Sequence, residues 1–327
     1  MIARKKADTA TGETVVTMLR RKQPPQILRT RALAYHDGDL RSLWLLAPAD
    51  VRAAMSRMLE SGGTVAKQLQ TRRGVVTGAN AALIIARVQP RLGDLALVHS
   101  EGEYEAHIEE SVLRPLVRGC DIGAWRTDIR HSVIYSHRDD NGGYVVPPRR
   151  TLRYLREHGV VDRRGRVGAL QHAGGGIDCT RIAWHDLANN LKAVVLPSRM
   201  TYLGGCRAIV PLNTVYYIAA ADPDAHVLAA YFNSLPLRVF ARAIAERAKD
   251  AHFRFFACTV ALLPLPLQWR TTEAGRLRSL SHGAHASGVI SEDAQRELDE
   301  IVGHAYGLTA GAMNALQRFD HWLRGES

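Results

Sequence analysis

The chain has 327 residues, 46% of them hydrophobic, which is enough apolar material for one large domain or two ordinary ones and excludes a disordered chain. Lysine and arginine outnumber acidic residues by 43 to 32, and the net charge of +11 favours a polyanionic partner, nucleic acid before a membrane. No run of about 18 uninterrupted apolar residues occurs, so we expect no signal peptide and no membrane span. Four singly scattered cysteines fit reduced thiols of a cytoplasmic protein.

The first 66 residues predict two strands and a mostly helical connector. Residues 14–36 begin with β-branched side chains, turn at Lys22–Pro25 and continue with alternating apolar residues. A helix is expected to begin at Pro48–Asp50 and to end at Gly62–Gly63.

Residues 67–270 consist of short apolar runs separated by clusters of Gly, Pro, Asn and Asp, which predicts a β-rich domain with inserted helices. The predicted strands are AALIIARV (81–88), LALVH (95–99), SVIYS (132–136), YVVP (144–147), RIAWH (181–185), KAVVLP (192–197), CRAIVP (206–211) and VYYIAA (215–220).

One long helix interrupts this pattern. Asp222 is expected to cap it, Pro223 suits its first turn, and Pro236 is expected to break it. The corner at Asn233–Pro236 is interpreted as structural, with Asn233 and Ser234 bonding local backbone groups.

The last segment, 271–327, predicts a helical tail. Ser291 begins one amphipathic helix, Gly307 ends it, and Thr309 opens a second. The predicted fold class is therefore α+β, a β-rich domain with inserted helices followed by a C-terminal helical tail.

Charge is unevenly distributed along the chain. The segment from Arg149 to Arg166 contains seven arginines and two acidic residues, Glu157 and Asp162. The segment from His285 to the end contains three arginines and seven acidic residues. The arginine cluster is therefore a candidate for contact with an anionic partner, and the alternative is a solvated loop between strands. The acidic tail is expected to face away from DNA. The predicted DNA-binding residues are Arg149, Arg150, Arg153, Arg163, Arg164, Arg166 and Arg254.

Two further polar sets are interpreted as structural. Around the broken helix, a solvated helix face is the favoured interpretation of the second basic set, Arg238, Arg242, Arg247, Lys249 and Arg254. In RPLVRGCDI (114–122), we expect internal ion pairs and turn hydrogen bonds from Arg114, Arg118 and Asp121. No histidine spacing typical of a metal site and no catalytic constellation is evident, so neither catalytic nor metal-binding residues are predicted.

Several motifs occur in an order that characterises a known family. They are GVVTGANAALII (74–85), VLRPLVRGCDIGAW (112–125), RIAWHDL (181–187), IVPLNTVYYIAA (209–220), LAAYFNSLPLRVF (228–240), FRFFACTVALLPLP (253–266) and LDEIVGHAYGLT (298–309). Together they resemble the target-recognition region of TaqI-like adenine-specific DNA methyltransferases, including the fused type IIG restriction-modification enzymes. The resemblance covers roughly residues 70–310.

The resemblance implies a specificity region that reads double-stranded DNA. Because the arginine cluster lies inside that region, it is predicted to contact DNA phosphates, with one or two guanidinium forks on guanine edges. The family's glycine-containing loop for S-adenosylmethionine and its Asn/Asp-Pro-Pro-Tyr/Phe motif are not found, because the Pro-Pro pairs in KQPPQ (22–26) and YVVPPRR (144–150) lack both flanking residues. It therefore implies no cofactor in this chain and a methyltransferase catalytic domain or subunit, holding S-adenosylmethionine, as partner. The implied organisation is 1–66, the possible end of a methyltransferase domain plus connector; 67–270, the target-recognition domain; and 271–327, the tail.

Two alternatives stay open at this point. The chain could itself be an enzyme, a nuclease or methyltransferase with an unrecognised site. It could also be a protein-interaction module that uses the recognition fold without touching DNA.

Overall fold

A computed structural model describes residues 2–4, 13–18, 26–31, 33–34, 44–90, 93–174, 177–248, 252–270 and 273–324, and these form the predicted α+β fold. The strands, numbered in chain order, are β1 (Ile2–Arg4), β2 (Glu13–Met18), β3 (Gln26–Arg31), β4 (Leu33–Ala34), β5 (Trp44–Leu45), β6 (Thr71–Arg73), β7 (Ile84–Pro90), β8 (Leu95–Ser100), β9 (Glu105–Glu109), β10 (Leu113–Val117), β11 (His131–Ile134), β12 (Arg181–His185), β13 (Leu187–Ala188), β14 (Ala193–Leu196), β15 (Arg199–Tyr202), β16 (Gly205–Ala208), β17 (Val210–Pro211), β18 (Val215–Ala219), β19 (Glu246–Arg247) and β20 (Phe253–Arg254).

The helices lie between and after these strands. They are α1 (Ala49–Glu60), α2 (Val65–Gln68), α3 (Asn80–Leu83), α4 (Arg149–Glu157), α5 (Asp222–Asn233), α6 (Leu235–Ile244), α7 (Ala257–Ala261), α8 (Glu273–Ser287), α9 (Glu292–Ala305) and α10 (Ala310–Arg324).

Two sheets, in which the strands are not arranged in chain order, form the centre of the fold. The larger has the order β17-β10-β11-β7-β8-β9, antiparallel except that β17 runs parallel to β10. The smaller, β14-β12-β18-β6, is antiparallel throughout. The N-terminal strands β2 and β3 pair as predicted, while the turn expected at Lys22–Pro25 lies outside the described residues.

Each large sheet has its own apolar core. The six-stranded sheet packs with α4 through buried residues such as Ile108, Leu113, Tyr154 and Leu155. The four-stranded sheet packs with α1, α5, α6 and the tail helices through a second, larger cluster that includes Trp184. The predicted domain boundaries at residues 66 and 270 remain predictions, although α8 and α10 of the tail contact α5, α6 and α1 within this second core.

Most predicted strands are confirmed, and the exceptions have local causes. YVVP (144–147) forms no strand, because its proline and Pro148 lead directly into α4. The first residues of AALIIARV lie in α3, where consecutive alanines and a leucine favour a helical turn. CRAIVP is divided between β16 and β17 at Ile209, whose amide donates to the Ser198 carbonyl at 3.1 Å in the β15–β16 register, while Val210 after it pairs with Leu116 of β10.

The predicted corner after α5 is confirmed, but its mechanism differs. The break falls at Ser234, which has extended backbone, and Pro236 lies in the first turn of α6, where its missing amide costs nothing. Ser234 Oγ donates to the Tyr231 carbonyl at 2.6 Å, a local bond as expected. Asn233 instead binds β14, donating to the Ala193 carbonyl at 2.8 Å and accepting from the Ala193 amide at 3.0 Å. The expected cap, Asp222, is the first residue of α5 and not its cap.

The tail helices follow the predicted signals. Ser291 Oγ accepts from the Ala294 amide at 3.2 Å at the start of α9, and Gly307 after it has a φ of 66°. Thr309 Oγ1 accepts from the Ala312 amide at 3.3 Å at the start of α10. The α8 helix lies within the predicted tail, but no start or end signal marked it in the sequence, because its apolar residues are interrupted by polar ones. Within the described residues, every helix is too short or too polar to cross a bilayer.

Candidate nucleic-acid interface

The arginine cluster begins on helix α4, which the sequence analysis did not predict. Thr151, Tyr154 and Leu155 are buried at helical spacing against the six-stranded sheet. On the opposite side, Arg149, Arg153 and Arg156 recur at i, i+4 and i+7 and are exposed. The spacing of the buried residues is the signal that could have distinguished a helix from the predicted loop.

The α4 helix is held firmly on β9 and its neighbours. The Tyr154 hydroxyl donates to the Ala82 carbonyl at 2.9 Å, and the His158 ring stacks on Tyr104 with centroids 3.8 Å apart. The charged face is therefore presented by a fixed element.

A protein carboxylate closes the N-terminus of α4. Glu109 accepts from the amides of Arg150 and Thr151, both at 2.9 Å, and from Thr151 Oγ1 at 2.7 Å. Burial alone would raise the pKa of Glu109, but these hydrogen bonds outweigh it and hold the pKa below its usual value. Because Glu109 occupies two amides of the first turn, we expect an anion to meet this helix mainly through its side chains.

The second part of the cluster is a tight turn. Gly165 donates its amide to the Asp162 carbonyl at 2.9 Å and has a φ of 75°, so Arg163 and Arg164 stand at the tip, exposed. Asp162 Oδ1 accepts from the amides of Arg164 and Arg166 at 2.9 and 2.8 Å, which rigidifies the turn.

Tyr144 fixes the position of the turn that follows α4. Its hydroxyl donates to the Val167 carbonyl at 3.0 Å, and the Arg166 guanidinium lies over its ring, 5.4 Å from the centroid. Burial raises the pKa of this tyrosine.

The predicted arginines divide into two groups. Arg153 Nε donates to Glu157 at 2.8 Å and Arg166 Nε to Asp162 at 2.8 Å, so these two are already paired. Within the part of the chain that is described, no hydrogen bond or ion pair engages the other exposed guanidiniums. We call this unpaired set the arginine surface: Arg149, Arg150, Arg156, Arg163 and Arg164. Arg156 was counted in the cluster but not among the predicted contacts.

A groove adjoins the start of α4. Its volume is 450 Å³, and it is lined by Arg138, Arg199, Val145 and Val146 among others. Arg199 lies on the β15–β16 hairpin, 3.4 Å from Asp139, and its side chain is 43% exposed. Val145 and Val146 are exposed apolar residues. The sequence analysis did not assign Arg199 a role, since only the tertiary fold brings this hairpin to α4.

The structure places Arg254 apart from this surface. It lies on β20, between β13 and β19, with its guanidinium 5.5 Å from the Phe256 ring centroid. The predicted site residues therefore lie in two separate places, on α4 with the turn that follows it and on strand β20.

The predicted solvated face of the second basic set is wrong for Arg242. This residue is 2% exposed and forms an ion pair with Asp320 of α10. Arg238 is half-buried, Arg247 lies 4.9 Å from the Phe253 ring centroid, and Lys249 lies outside the described residues. By contrast, the interpretation of RPLVRGCDI is confirmed.

In that motif both arginines make internal contacts. Arg114 Nε donates to Asp139 at 3.1 Å, and Asp121 Oδ2 accepts from the Arg118 amide at 2.8 Å. The four cysteines are free thiols, as expected.

Comparisons with known proteins extend these observations. No protein-family model and no curated protein sequence matches the chain. Among solved structures, the fold is similar to that of the type IIL restriction-modification enzyme MmeI, determined in complex with DNA, with 11% sequence identity and a TM-score of 0.54. The match covers 98% of this chain and 42% of that enzyme, so this chain spans less than half of its length. The shared fold agrees with the predicted relationship to restriction-modification enzymes, and the TaqI-like type remains a prediction.

Proposed function

We propose that this chain binds double-stranded DNA as the target-recognition part of a restriction-modification system with TaqI-like adenine-specific methylation. The observation that carries the proposal is the arginine surface, five exposed guanidiniums without protein partners on a rigid helix and turn. The similarity of the fold to part of an enzyme solved on DNA supports the same conclusion.

The arrangement suits phosphate binding followed by base recognition. Arg149 and Arg156 on the outer side of α4 would contact successive phosphates, because a guanidinium carries a permanent charge and forks onto phosphate oxygens. Arg163 and Arg164, at the tip of a narrow turn, have the reach to enter a groove and fork onto guanine O6 and N7. Exposed Val146, which lines the groove at the start of α4, would meet the methyl group of thymine.

In this proposal specificity and chemistry are divided. The chain binds the phosphates of the duplex and recognises its base edges. A methyltransferase catalytic domain or subunit binds S-adenosylmethionine, flips the target adenine out of the base stack and methylates its exocyclic amine. No residue of this chain is assigned a catalytic role.

The arginine surface can be tested by replacing its five members with serine. Duplex binding should weaken, and the slope of log affinity against log salt should become shallower by about 2 or more, since Arg149 and Arg156 each contact a phosphate and each lost contact removes about 0.9. Fluorescence anisotropy of a labelled duplex between 50 and 200 mM salt measures both quantities, and circular dichroism checks the fold.

A matched control keeps the same loss of charge. Serine replacements of five exposed arginines outside the arginine surface, Arg57, Arg130, Arg276, Arg296 and Arg318, should leave most of the salt slope intact. Equal slopes in the two variants would remove the arginine surface from the interface.

Two outcomes would instead support the rival functions. Tight binding of S-adenosylmethionine by this chain, measured by calorimetry, would indicate an enzyme. Failure to bind any duplex of a random-sequence pool, even at low salt, would favour a protein-interaction module.

A further inference from the structure

We propose that Asp222, His226 and His282 form a zinc site that joins helix α5 to helix α8. One carboxylate oxygen and one nitrogen from each imidazole lie within 4.8 Å of one another. The site shares no residue with the arginine surface, so the zinc proposal can be tested independently of the proposed DNA binding.

Helix geometry brings the three side chains together. Asp222 and His226 are four positions apart on α5 and so share one face of that helix. The α8 helix packs against α5, and its His282 ring stacks on His226 with centroids 3.6 Å apart. His226 is buried, whereas Asp222 and His282 are exposed and leave a path for an ion from solvent.

The ring of His226 is oriented by the protein. Its Nδ1 is hydrogen-bonded to Ser281 Oγ at 3.0 Å, which leaves Nε2 as the nitrogen available to a metal. A hydrogen bond to the second ring nitrogen is the usual support for a metal-binding histidine, because it sets the tautomer and the ring direction.

The neighbouring His285 is not part of the site. The Val195 amide donates to its Nε2 at 2.9 Å, and its Nδ1 donates to the Ser281 carbonyl at 2.7 Å. Both ring nitrogens are therefore occupied, although the ring lies 4.9 Å from His226.

The donor set selects the metal. Two imidazoles and a carboxylate suit zinc and similar transition metals, whereas calcium and magnesium prefer oxygen ligands. Zinc bonds of about 2.0–2.2 Å require the three ligand atoms to draw together, and the His282 ring must turn so that its lone pair converges with that of His226. Both exposed side chains are free to make this adjustment. The fourth position would be filled by water, which makes this an open, three-ligand site that links α5 to the tail.

The test uses the full chain after removal of any affinity tag and of bound metal. Zinc titration by calorimetry should give one equivalent per chain, and zinc should raise the melting temperature. His282→Ala and Asp222→Asn, at exposed positions that the fold tolerates, should each weaken zinc binding at least about tenfold and abolish the thermal shift. His304→Ala, an exposed histidine on α9, is the control and should bind zinc normally.

Cobalt provides a second measurement that identifies the ligands. Bound Co²⁺ should give visible bands of four-coordinate nitrogen and oxygen ligation, without the near-ultraviolet band of thiolate ligands. Zinc affinity unchanged in both variants, a thiolate band from the free cysteines, or no uptake of metal would each overturn the proposal.

Discussion

Helices α4 and α6 both carry arginines at helical spacing, yet their guanidiniums have opposite surroundings. On α4 one face is buried on the six-stranded sheet, and every arginine lies on the other, exposed face. The α6 helix is enclosed by α5, α9 and α10, so Arg242 is 2% exposed and must be neutralised by Asp320. An arginine is therefore available to DNA only where its helix has a free side, and the number of arginines in a segment does not reveal this.

The largest expected effect comes from breaking the buried pair on α6. Arg242→Ala should destabilise the fold by about 3–5 kcal/mol, because it leaves the Asp320 carboxylate buried without its partner. Urea unfolding followed by circular dichroism measures the change. The double variant Arg242→Met/Asp320→Leu should recover most of the loss, and a single variant as stable as the wild type would refute the structural role.

The next effect concerns a buried amide at the end of α5. Asn233→Ala removes both hydrogen bonds to Ala193 of β14 and should cost about 2 kcal/mol, because the amide and carbonyl of β14 lose their buried partner. The exposed Asn314→Ala on α10 should be neutral in the same urea titration. Equal midpoints for the two variants would contradict this assignment.

A smaller, pH-dependent effect is expected at the start of α4. Glu109→Gln should cost about 1 kcal/mol at pH 7, since the carboxylate caps the helix. The pKa of Glu109 is lowered by folding from its ordinary 4.5, so its contribution is complete above that value and is lost as pH falls through the lower folded pKa. The stability difference from wild type should therefore shrink below about pH 4.5.

Unfolding curves between pH 7 and pH 3 test this. Glu103→Gln, at an exposed position before β9, is the control and should show a smaller difference at every pH. A difference for Glu109→Gln that persists at pH 3 would show that the charge of the carboxylate is not the cause.

The smallest effect on stability should come from the exposed face of α4. Arg153→Ala should leave the melting temperature unchanged, because an ion pair in water contributes little. Arg156→Ala should be equally stable but weaken duplex binding more than Arg153→Ala does, since Glu157 already neutralises Arg153. Equal losses of affinity in the two variants would mean that DNA breaks the ion pair between Arg153 and Glu157 when it binds.

The sequence pattern was sufficient for elements whose signals are local. Strands such as RIAWH and VYYIAA, the caps at Ser291 and Gly307, and the corner at Asn233–Pro236 all depend on neighbouring residues, so they were predictable. The same holds for the α+β class, because it follows from the sum of these elements. The α4 helix was locally encoded as well, but the preceding apolar YVVP was interpreted as a strand.

Other features were decided only by tertiary packing. Burial of Arg242, capping of α4 by Glu109, the pairing of Asn233 with β14 and the approach of His282 to His226 each join residues that are distant in sequence. Hydrogen bonds, ion pairs and metal ligation act over a few ångströms. The pattern of residues along the sequence does not show which distant segments come that close. Thus the sequence alone determined a basic α+β chain with one arginine-rich segment, whereas the fold decided which guanidiniums remain free to bind a partner.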